Sequence, residues 1–216
     1  MMFSLEVFNR RYETEAVEIR IDDRLFRILL PKDLSAFINF QDVLDEFPLW
    51  AKVWKASWLL AGYLAARPPE EGKKYLEIGG GLGLVSIVAA SCGHRITMTE
   101  YNPDALQFAR ANAHINGCGD LSITAFDWNQ PKFKGKFDCI VASEVIYKED
   151  SFARLLQVFS SCLKTDGEII LASEVRKTTE KFCHYVQPYF NIQAQKKTLR
   201  SEDENTVIIL LRLTPK

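Results

Sequence analysis

The chain contains 216 residues, enough for one domain of ordinary size with room for an additional segment. Hydrophobic residues make up 47% and charged residues 25% of the chain, which excludes a disordered, collagen-like or coiled-coil protein. The formal net charge is −1, with 27 Lys and Arg against 28 Asp and Glu. The basic surplus that binds nucleic-acid phosphates is therefore missing, and no nucleic-acid partner is expected.

The first 47 residues are predicted to form a β-hairpin followed by a short helix. Apolar and charged residues alternate over residues 17–21 and 25–30, on either side of an aspartate turn, as in a hairpin with one solvent-facing side. The apolar positions from Leu34 to Phe47 follow a helical period, which Pro48 interrupts. We assign residues 1–47 to an N-terminal appendage and residues 48–216 to the main domain.

The rest of the chain alternates between helical and strand-like patterns. A helix is predicted from Leu49 to near Arg67, with Trp58 as a core residue, because Pro68 and Pro69 prevent its continuation. Strands are then predicted at 74–78, 95–100, 121–126, 137–143 and 168–173, helices at 84–91, 103–116, 151–163 and 178–186, and a final antiparallel strand pair at 192–198 and 207–213. Such alternation implies βαβ crossovers. It predicts an α/β fold with a Rossmann-like, doubly wound, mostly parallel sheet of seven strands and an antiparallel C-terminal edge.

A glycine-rich segment, LEIGGGLG at residues 76–83, joins the first of these strands to a helix. Glycines at such a junction let the backbone turn tightly and approach a ligand. The spacing fits neither the dinucleotide fingerprint, which needs a third glycine where Leu84 stands, nor a phosphate-binding loop, which ends in Gly-Lys-Ser/Thr. Glu100 ends the next strand at the same edge of the sheet, where a carboxylate can accept both hydroxyls of a ribose. A purine nucleoside without a pyrophosphate is the simplest ligand; the alternative is a plain turn beside a solvated strand end.

Cysteines and histidines do not indicate a metal site. The five cysteines are widely spaced without a CxxC motif, and no two of the three histidines have the HxxxH spacing, so we predict neither bound metal nor a disulfide framework. Charges interrupt the N-terminal apolar residues too early for a signal peptide, and the apolar stretch 56–66 is too short to cross a bilayer. These features predict a cytoplasmic protein without a membrane partner.

Four segments carry a family resemblance: LEIGGGLG (76–83), TEYNPDALQFARANAHIN (99–116), AFDW (125–128) and FDCIVASEVIY (137–147). In this order they resemble motif I, motif II, the segment beside the adenine and motif IV of the class I, seven-β-strand methyltransferases that use S-adenosylmethionine. PLWAKVWKASWLLAGYL (48–64) and the run from Glu144 to Tyr147 further resemble the group called family 16. That group contains protein-lysine methyltransferases and bacterial nicotinamide-methyltransferase-like proteins. This chain departs from it with Glu144 in place of Asp and Lys55 in place of a common proline.

The resemblance implies S-adenosylmethionine as cofactor and a set of contact residues along one edge of the sheet. These are Gly79, Gly81 and Gly83 as a backbone cradle, Glu77 beneath the methionine amino group, Glu100 at the ribose, Tyr101 and Asn102 beside the ribose or adenine, Asp127 and Trp128 around the adenine, Trp54 as a wall of the pocket, and Ser143 at the end of the strand before Glu144. Carboxylates and aromatic faces suit a cofactor that carries a sulfonium and an ammonium cation.

Glu144 and Tyr147 are the candidate catalytic residues. Methyl transfer needs an unprotonated nucleophile held in line with the leaving group, so we expect Glu144 to orient an incoming amine and Tyr147 to shape its channel or accept a hydrogen bond. A carboxylate alone would raise the pKa of the amine, which desolvation by neighbouring aromatic residues would have to offset. The alternative is that Glu144 only caps the next turn.

The resemblance implies N-methylation of a protein lysine side chain. Two alternatives are a small-molecule N-methyltransferase with a pyridine or amine acceptor, and a catalytically silent methyltransferase fold that acts as a binding module. The Asn-Pro-Pro-Tyr of enzymes that methylate planar amide or adenine nitrogens is replaced by Ser-Glu-Val-Ile-Tyr at residues 143–147. The acceptor is therefore expected to be a protein or a small molecule, framed by residues 1–47.

Overall fold

The N-terminal segment forms a helix and a β-hairpin. In the computed structural model, which describes residues 3–38, 47–128, 135–200 and 205–216, helix α1 spans Leu5–Arg11. Strands β1 (Thr14–Ile21) and β2 (Arg24–Pro31) pair antiparallel, which confirms the predicted hairpin. The sequence did not predict α1, whose short apolar face buries only Phe8. Of the helix predicted at 34–47, the described part is a single 3₁₀ turn, Ser35–Phe37, and residues 39–46 lie outside the described residues.

Seven strands form the main sheet, in the spatial order β5-β4-β3-β6-β7-β9-β8. Strands β3 to β7 run parallel, and β9 pairs antiparallel with both β7 and β8. The predicted α/β fold with an antiparallel C-terminal edge is thus confirmed. The strands are β3 (Lys74–Ile78), β4 (Arg95–Glu100), β5 (Ser122–Ala125), β6 (Phe137–Ser143), β7 (Leu163–Glu174), β8 (Phe190–Arg200) and β9 (Asn205–Pro215).

Helices cover both faces of this sheet. Because successive strand residues point to opposite sides, each strand contributes side chains to the hydrophobic clusters on both faces. Tyr75 and Val141 belong to one hydrophobic cluster, whereas Leu76 and Ile140 belong to a second cluster on the other face. The first cluster includes residues of α2, α3 and α4, and the second includes residues of α5 and α6. The helices are α2 (Lys55–Ala65), α3 (Leu84–Ser91), α4 (Pro103–Ile115), α5 (Phe152–Cys162) and α6 (Lys177–Val186).

Helix α2 differs from its prediction in two respects. It begins at Lys55, after a separate 3₁₀ turn at Leu49–Ala51, so Trp54 is its extended N-cap residue. The prediction of Trp58 as a core residue was wrong, because this side chain is 42% exposed and its indole N–H donates to the Arg20 carbonyl, 3.1 Å away. Helical spacing shows which aromatic residues share one face of a helix, but not whether that face is buried. The side of α2 that carries Trp58 borders the hairpin.

The N-terminal segment packs on the first hydrophobic cluster. Phe8, Phe26 and Ile28 are buried there with residues of α2 and α3, and the Tyr12 hydroxyl donates to Asp104 on α4 at 2.5 Å. The division at residue 47 stays a prediction. Within the described residues, no helix combines the length and the apolar content that crossing a bilayer requires.

Candidate functional site

The glycine loop lies between β3 and α3, at the carboxyl edge of the parallel strands. Gly79, Gly81 and Gly83 have φ angles of 65°, 53° and 88°, a left-handed region that residues with a Cβ rarely adopt. Gly83 is the N-cap residue of α3 in this conformation. The sequence-predicted glycines are therefore required by the backbone path of the loop.

Close packing adds a second constraint on this loop. A Cβ atom at Gly81 would lie 3.3 Å from the carbonyl oxygen of Trp50, and one at Gly80 would lie 2.6 Å from the Met98 side chain. A side chain at Gly80 would force Met98 to move, and one at Gly81 would press on the Trp50 backbone. Gly80 and Trp50 were not predicted from the sequence, because the spacing of glycines carries no information about what packs around the loop.

Glu100, the last residue of β4, holds the loop through its carboxylate. One oxygen accepts the Gly81 N–H at 2.9 Å, and the other accepts the N–H groups of Tyr101 and Asn102 at 2.7 and 2.9 Å. Ionised carboxylates make hydrogen bonds stronger than those of neutral acceptors. Glu100 thus ties the glycine loop to the start of the segment that leads into α4.

Glu77 lies beneath the same loop and is only 1% exposed. Its carboxylate accepts a short hydrogen bond from the Ser86 hydroxyl, on the first turn of α3. Burial raises the pKa of Glu77 from 4.5 to about 7; the Ser86 hydrogen bond lowers it, and the nearby charge of Glu100 raises it further. A hydroxyl two residues into a helix gave no sequence signal, so Ser86 was also missed.

The predicted adenine-side residues follow the ends of β4 and β5. Asp127 and Trp128 are half-buried, and Trp128 packs against the second hydrophobic cluster. Tyr101 is 66% exposed. The Asn102 side chain caps α4 by accepting the N–H groups of Asp104 and Ala105 at 2.9 and 3.0 Å, while its own N–H donates to Glu100.

Trp54 is half-buried just before α2. Its indole N–H donates to the Leu49 carbonyl at 2.8 Å, and the Lys52 ammonium lies 5.0 Å from the ring centroid. These contacts fix the orientation of the ring. The aromatic side chain is therefore held by local interactions rather than by the core.

The turn after β6 brings the candidate catalytic residues to the same edge. Ser143 ends the strand, Tyr147 is 40% exposed, and Glu144 has a φ of 54°, an uncommon value for a residue other than glycine. A Cβ atom at Gly79 would lie 3.4 Å from the Val145 side chain. The glycine loop and the Glu144 turn thus lie side by side.

Both carboxylate oxygens of Glu144 have partners. One accepts the Glu174 N–H at 2.8 Å, and the other accepts a guanidinium N–H of Arg176 at 2.7 Å. The Arg176 guanidinium also donates to the Glu174 carboxylate at 2.6 Å. Arg176 was not predicted from the sequence, because a guanidinium 32 positions away from its carboxylate partner forms no motif.

Comparisons with known proteins identify the family of this chain. The sequence model described as lysine methyltransferase matches residues 38–188. EEF1A lysine methyltransferase 3 of Mus musculus is 32% identical over 170 residues, which cover 75% of this chain and 72% of that protein. Protein N-lysine methyltransferase METTL21A of Danio rerio is 30% identical over 152 residues, 66% of this chain and 69% of that protein.

A solved structure shares the fold. The ribosomal protein L11 methylase of Lactobacillus delbrueckii subsp. bulgaricus superposes with a TM-score of 0.62 at 20% identity, covering 91% of this chain and 98% of that one. The family match spans more than half of the chain, and the mouse relative is similar over most of its length. This chain therefore belongs to the lysine methyltransferase family and is an S-adenosylmethionine-dependent methyltransferase.

Proposed function

We propose that this methyltransferase binds S-adenosylmethionine at the glycine loop and methylates a lysine Nε of a protein that enters beside Glu144 and Tyr147. The observation that carries the proposal is the closeness of the Glu144 turn to the glycine loop, where a Cβ added at Gly79 would lie 3.4 Å from the Val145 side chain. A loop suited to binding the cofactor therefore lies next to a turn that can receive an acceptor. The lysine acceptors named for the two relatives support the choice of substrate.

The donor and acceptor groups around the loop fit the cofactor. A carboxylate offers about four lone-pair positions, and Glu100 uses three of them for the N–H groups of Gly81, Tyr101 and Asn102. About one position is left, enough to accept one ribose hydroxyl. Since the loop glycines expose backbone rather than side chains, the methionine and ribose portions can approach closely.

We assign the remaining contacts by position around this loop. Carboxylate and aromatic groups suit a cationic ligand with an adenine ring. The proposed set is Gly79, Gly81 and Gly83 as the cradle, Glu77 below the methionine amino group, Tyr101 and Asn102 beside the ribose or adenine, Asp127 and Trp128 around the adenine, Trp54 as a wall, and Ser143 at the methyl end.

The acceptor end must present an uncharged amine. When bound, S-adenosylmethionine supplies an electrophilic methyl group and a good leaving group. A lysine amine has an ordinary pKa near 10.4, so the site must favour its deprotonated form. An isolated carboxylate would oppose this, but Glu144 is paired with Arg176 at 2.7 Å. We propose that Glu144 orients the amine while Tyr147, at the exposed rim, borders its path.

Labelling tests the proposed reaction. Purified protein is incubated with radiolabelled S-adenosylmethionine and either recombinant EEF1A or a lysate of the source organism lacking this protein. We expect labelled protein bands that contain methyl-lysine by mass spectrometry. Label found only in small molecules, or bands that persist after the lysines are chemically blocked, would contradict lysine methylation of a protein.

Two variants test the acceptor-end residues. Glu144→Gln and Tyr147→Phe should each lower the rate of methyl transfer about tenfold or more, because each removes a group that positions the amine. Tyr189→Phe, at a tyrosine that is 54% exposed after α6, is the matched control and should leave the rate unchanged. Full activity in both acceptor-end variants would contradict the roles proposed for Glu144 and Tyr147, but not the proposal that the glycine loop binds the cofactor.

We also propose a cytoplasmic location. It is supported by Cys118, Cys139 and Cys162, which are buried free thiols, a form that reducing compartments preserve. Fractionation of cells with an antibody against the protein tests this directly, and recovery in an oxidising compartment would contradict it.

A further inference from the structure

A compact ion cluster closes the carboxyl ends of β6 and β7. The Arg176 guanidinium uses one terminal nitrogen for Glu144 and the other for Glu174, at 2.7 and 2.6 Å. The second oxygen of Glu144 accepts the backbone N–H of Glu174 at 2.8 Å. Three residues from two strand ends and the cap of α6 are thus joined by directional bonds.

Burial makes this cluster different from an ordinary surface ion pair. The side chain of Glu144 is 11% exposed and that of Arg176 is 35% exposed. Burial lowers the pKa of Arg176, but the hydrogen bond and the charge of Glu144 outweigh that effect and raise it above its usual value. Removing one partner of such a pair leaves a largely buried charge without compensation, which is costly.

The backbone of Glu144 is also constrained. Its φ is 54°, and its N–H donates to the Ala172 carbonyl at 2.9 Å. Residues held in this region by their surroundings are concentrated at functional sites. The side chain of Glu144 therefore starts from a fixed backbone and ends in a fixed carboxylate.

We propose that Arg176 is a positioning residue for methyl transfer: its two-pronged guanidinium holds the Glu144 carboxylate in one orientation beside the acceptor. This inference rests on the proposed function, in which Glu144 orients the amine. One guanidinium against two carboxylates also leaves a formal charge of −1 instead of −2 in the cluster. The cluster then raises the pKa of the incoming amine less than two unpaired carboxylates would.

Arginine is required here for its shape as well as its charge. A lysine at position 176 would keep the positive charge, but its single nitrogen would hold Glu144 and Glu174 less firmly than the planar fork does. A methionine would keep most of the side-chain volume and lose the charge. Comparing the two variants separates the effect of charge from that of geometry.

The test is a double-mutant cycle between Arg176 and Glu144. The acceptor probe is the lysate of the source organism lacking this protein, used over a range of concentrations with saturating S-adenosylmethionine. Arg176→Met should lower the apparent kcat about 10- to 100-fold. The apparent kcat of Arg176→Lys should lie between that of Arg176→Met and that of the original protein. In the Glu144→Gln background, both changes should alter the rate by less than about twofold.

Controls separate positioning from folding. Affinity for S-adenosylmethionine, measured by calorimetry, should stay within about twofold in every variant, because the Arg176 guanidinium bonds Glu144 and Glu174 and not the glycine loop. Lys164→Met breaks an ion pair of the same length, 2.7 Å, with Asp138 at the start of β7, although that pair is more exposed. It should leave the kcat unchanged.

Two results would overturn the inference. One is an equal kcat for arginine, lysine and methionine at position 176 with Glu144 intact. The other is an Arg176 effect of the same size with and without the Glu144 carboxylate. If the methionine variant does not fold, the lysine variant alone completes the cycle. If the unmodified protein binds cofactor but labels no acceptor, the proposed function itself fails.

Discussion

Replacing Glu77 by glutamine should change how the stability of the protein depends on pH. The Glu77 carboxyl group is 1% exposed beneath the glycine loop, and burial raises its pKa to about 7. In the unfolded chain the pKa returns to its ordinary value of 4.5. The folded protein therefore holds the Glu77 proton more tightly than the unfolded chain does.

The direction and size of the effect follow from this difference. Between pH 4.5 and 7 the folded state keeps the proton and the unfolded state loses it, so the free energy of unfolding falls as the pH rises. Below this window both states are protonated, and above it both are ionised, so the loss levels off. One pKa unit corresponds to about 1.4 kcal/mol, and the shift therefore amounts to about 3 kcal/mol in total.

Urea unfolding at pH 5 and pH 8, without cofactor, measures the effect. Between these two values the original protein should lose about 2–3 kcal/mol more stability than Glu77→Gln does, because glutamine does not titrate. Comparing the two differences cancels any constant cost of the new amide next to Ser86. Glu13→Gln, at a side chain that is 86% exposed, provides the control. Parallel pH curves for the Glu77 variant and the original protein would refute the reasoning.

Two further predictions concern the glycine loop. Gly80→Ala should destabilise the protein by about 1–3 kcal/mol and weaken cofactor binding, since its Cβ would lie 2.6 Å from Met98. Thermal unfolding and calorimetric titration measure the two effects. Gly62→Ala is the control, because a Cβ there would meet nothing within 4 Å, and it should be neutral or stabilising in the same assays. Glu100→Gln should weaken S-adenosylmethionine binding about tenfold or more, because an amide oxygen cannot replace both carboxylate oxygens. Calorimetric titration against Glu13→Gln checks this, and equal affinities would contradict the role of Glu100.

The order of strands and helices could be predicted because it depends on local patterns. The run from Lys74 to Ile78 is short, contains three apolar residues and is followed by glycines, and the helix from Pro103 begins with an asparagine cap. These signals lie within a few residues of each other in the sequence. The glycine loop and Glu100 could be placed at one edge for the same reason, since both follow consecutive parallel strands.

The N-terminal elements could not be predicted equally well, because their stability comes from distant contacts. Helix α1 has 7 residues and one buried side chain, Phe8, too little for a periodic signal. It is held instead by the hydrogen bond from Tyr12 to Asp104 and by the ring of Phe108, 5.0 Å from that of Phe8. Helices this short depend on tertiary packing rather than on intrinsic propensity. The exposure of Trp58 has a similar cause, because its partner is a carbonyl of the hairpin.

The pair of Glu144 and Arg176 at the acceptor end could not be predicted from the sequence either, because it also depends on distant parts of the chain coming together. The sequence places Glu144 after β6 and Arg176 after β7, 32 positions apart, and a carboxylate and a guanidinium so separated give no motif. Their meeting depends on the parallel pairing of Ser143 with Ala172, which brings the two strand ends side by side. A carboxylate that looks like a free catalytic group in the sequence is therefore, in the fold, one half of an ion pair. Its chemistry toward an amine is decided jointly by both residues, so variants at position 144 alone would misattribute to the carboxylate what belongs to the pair.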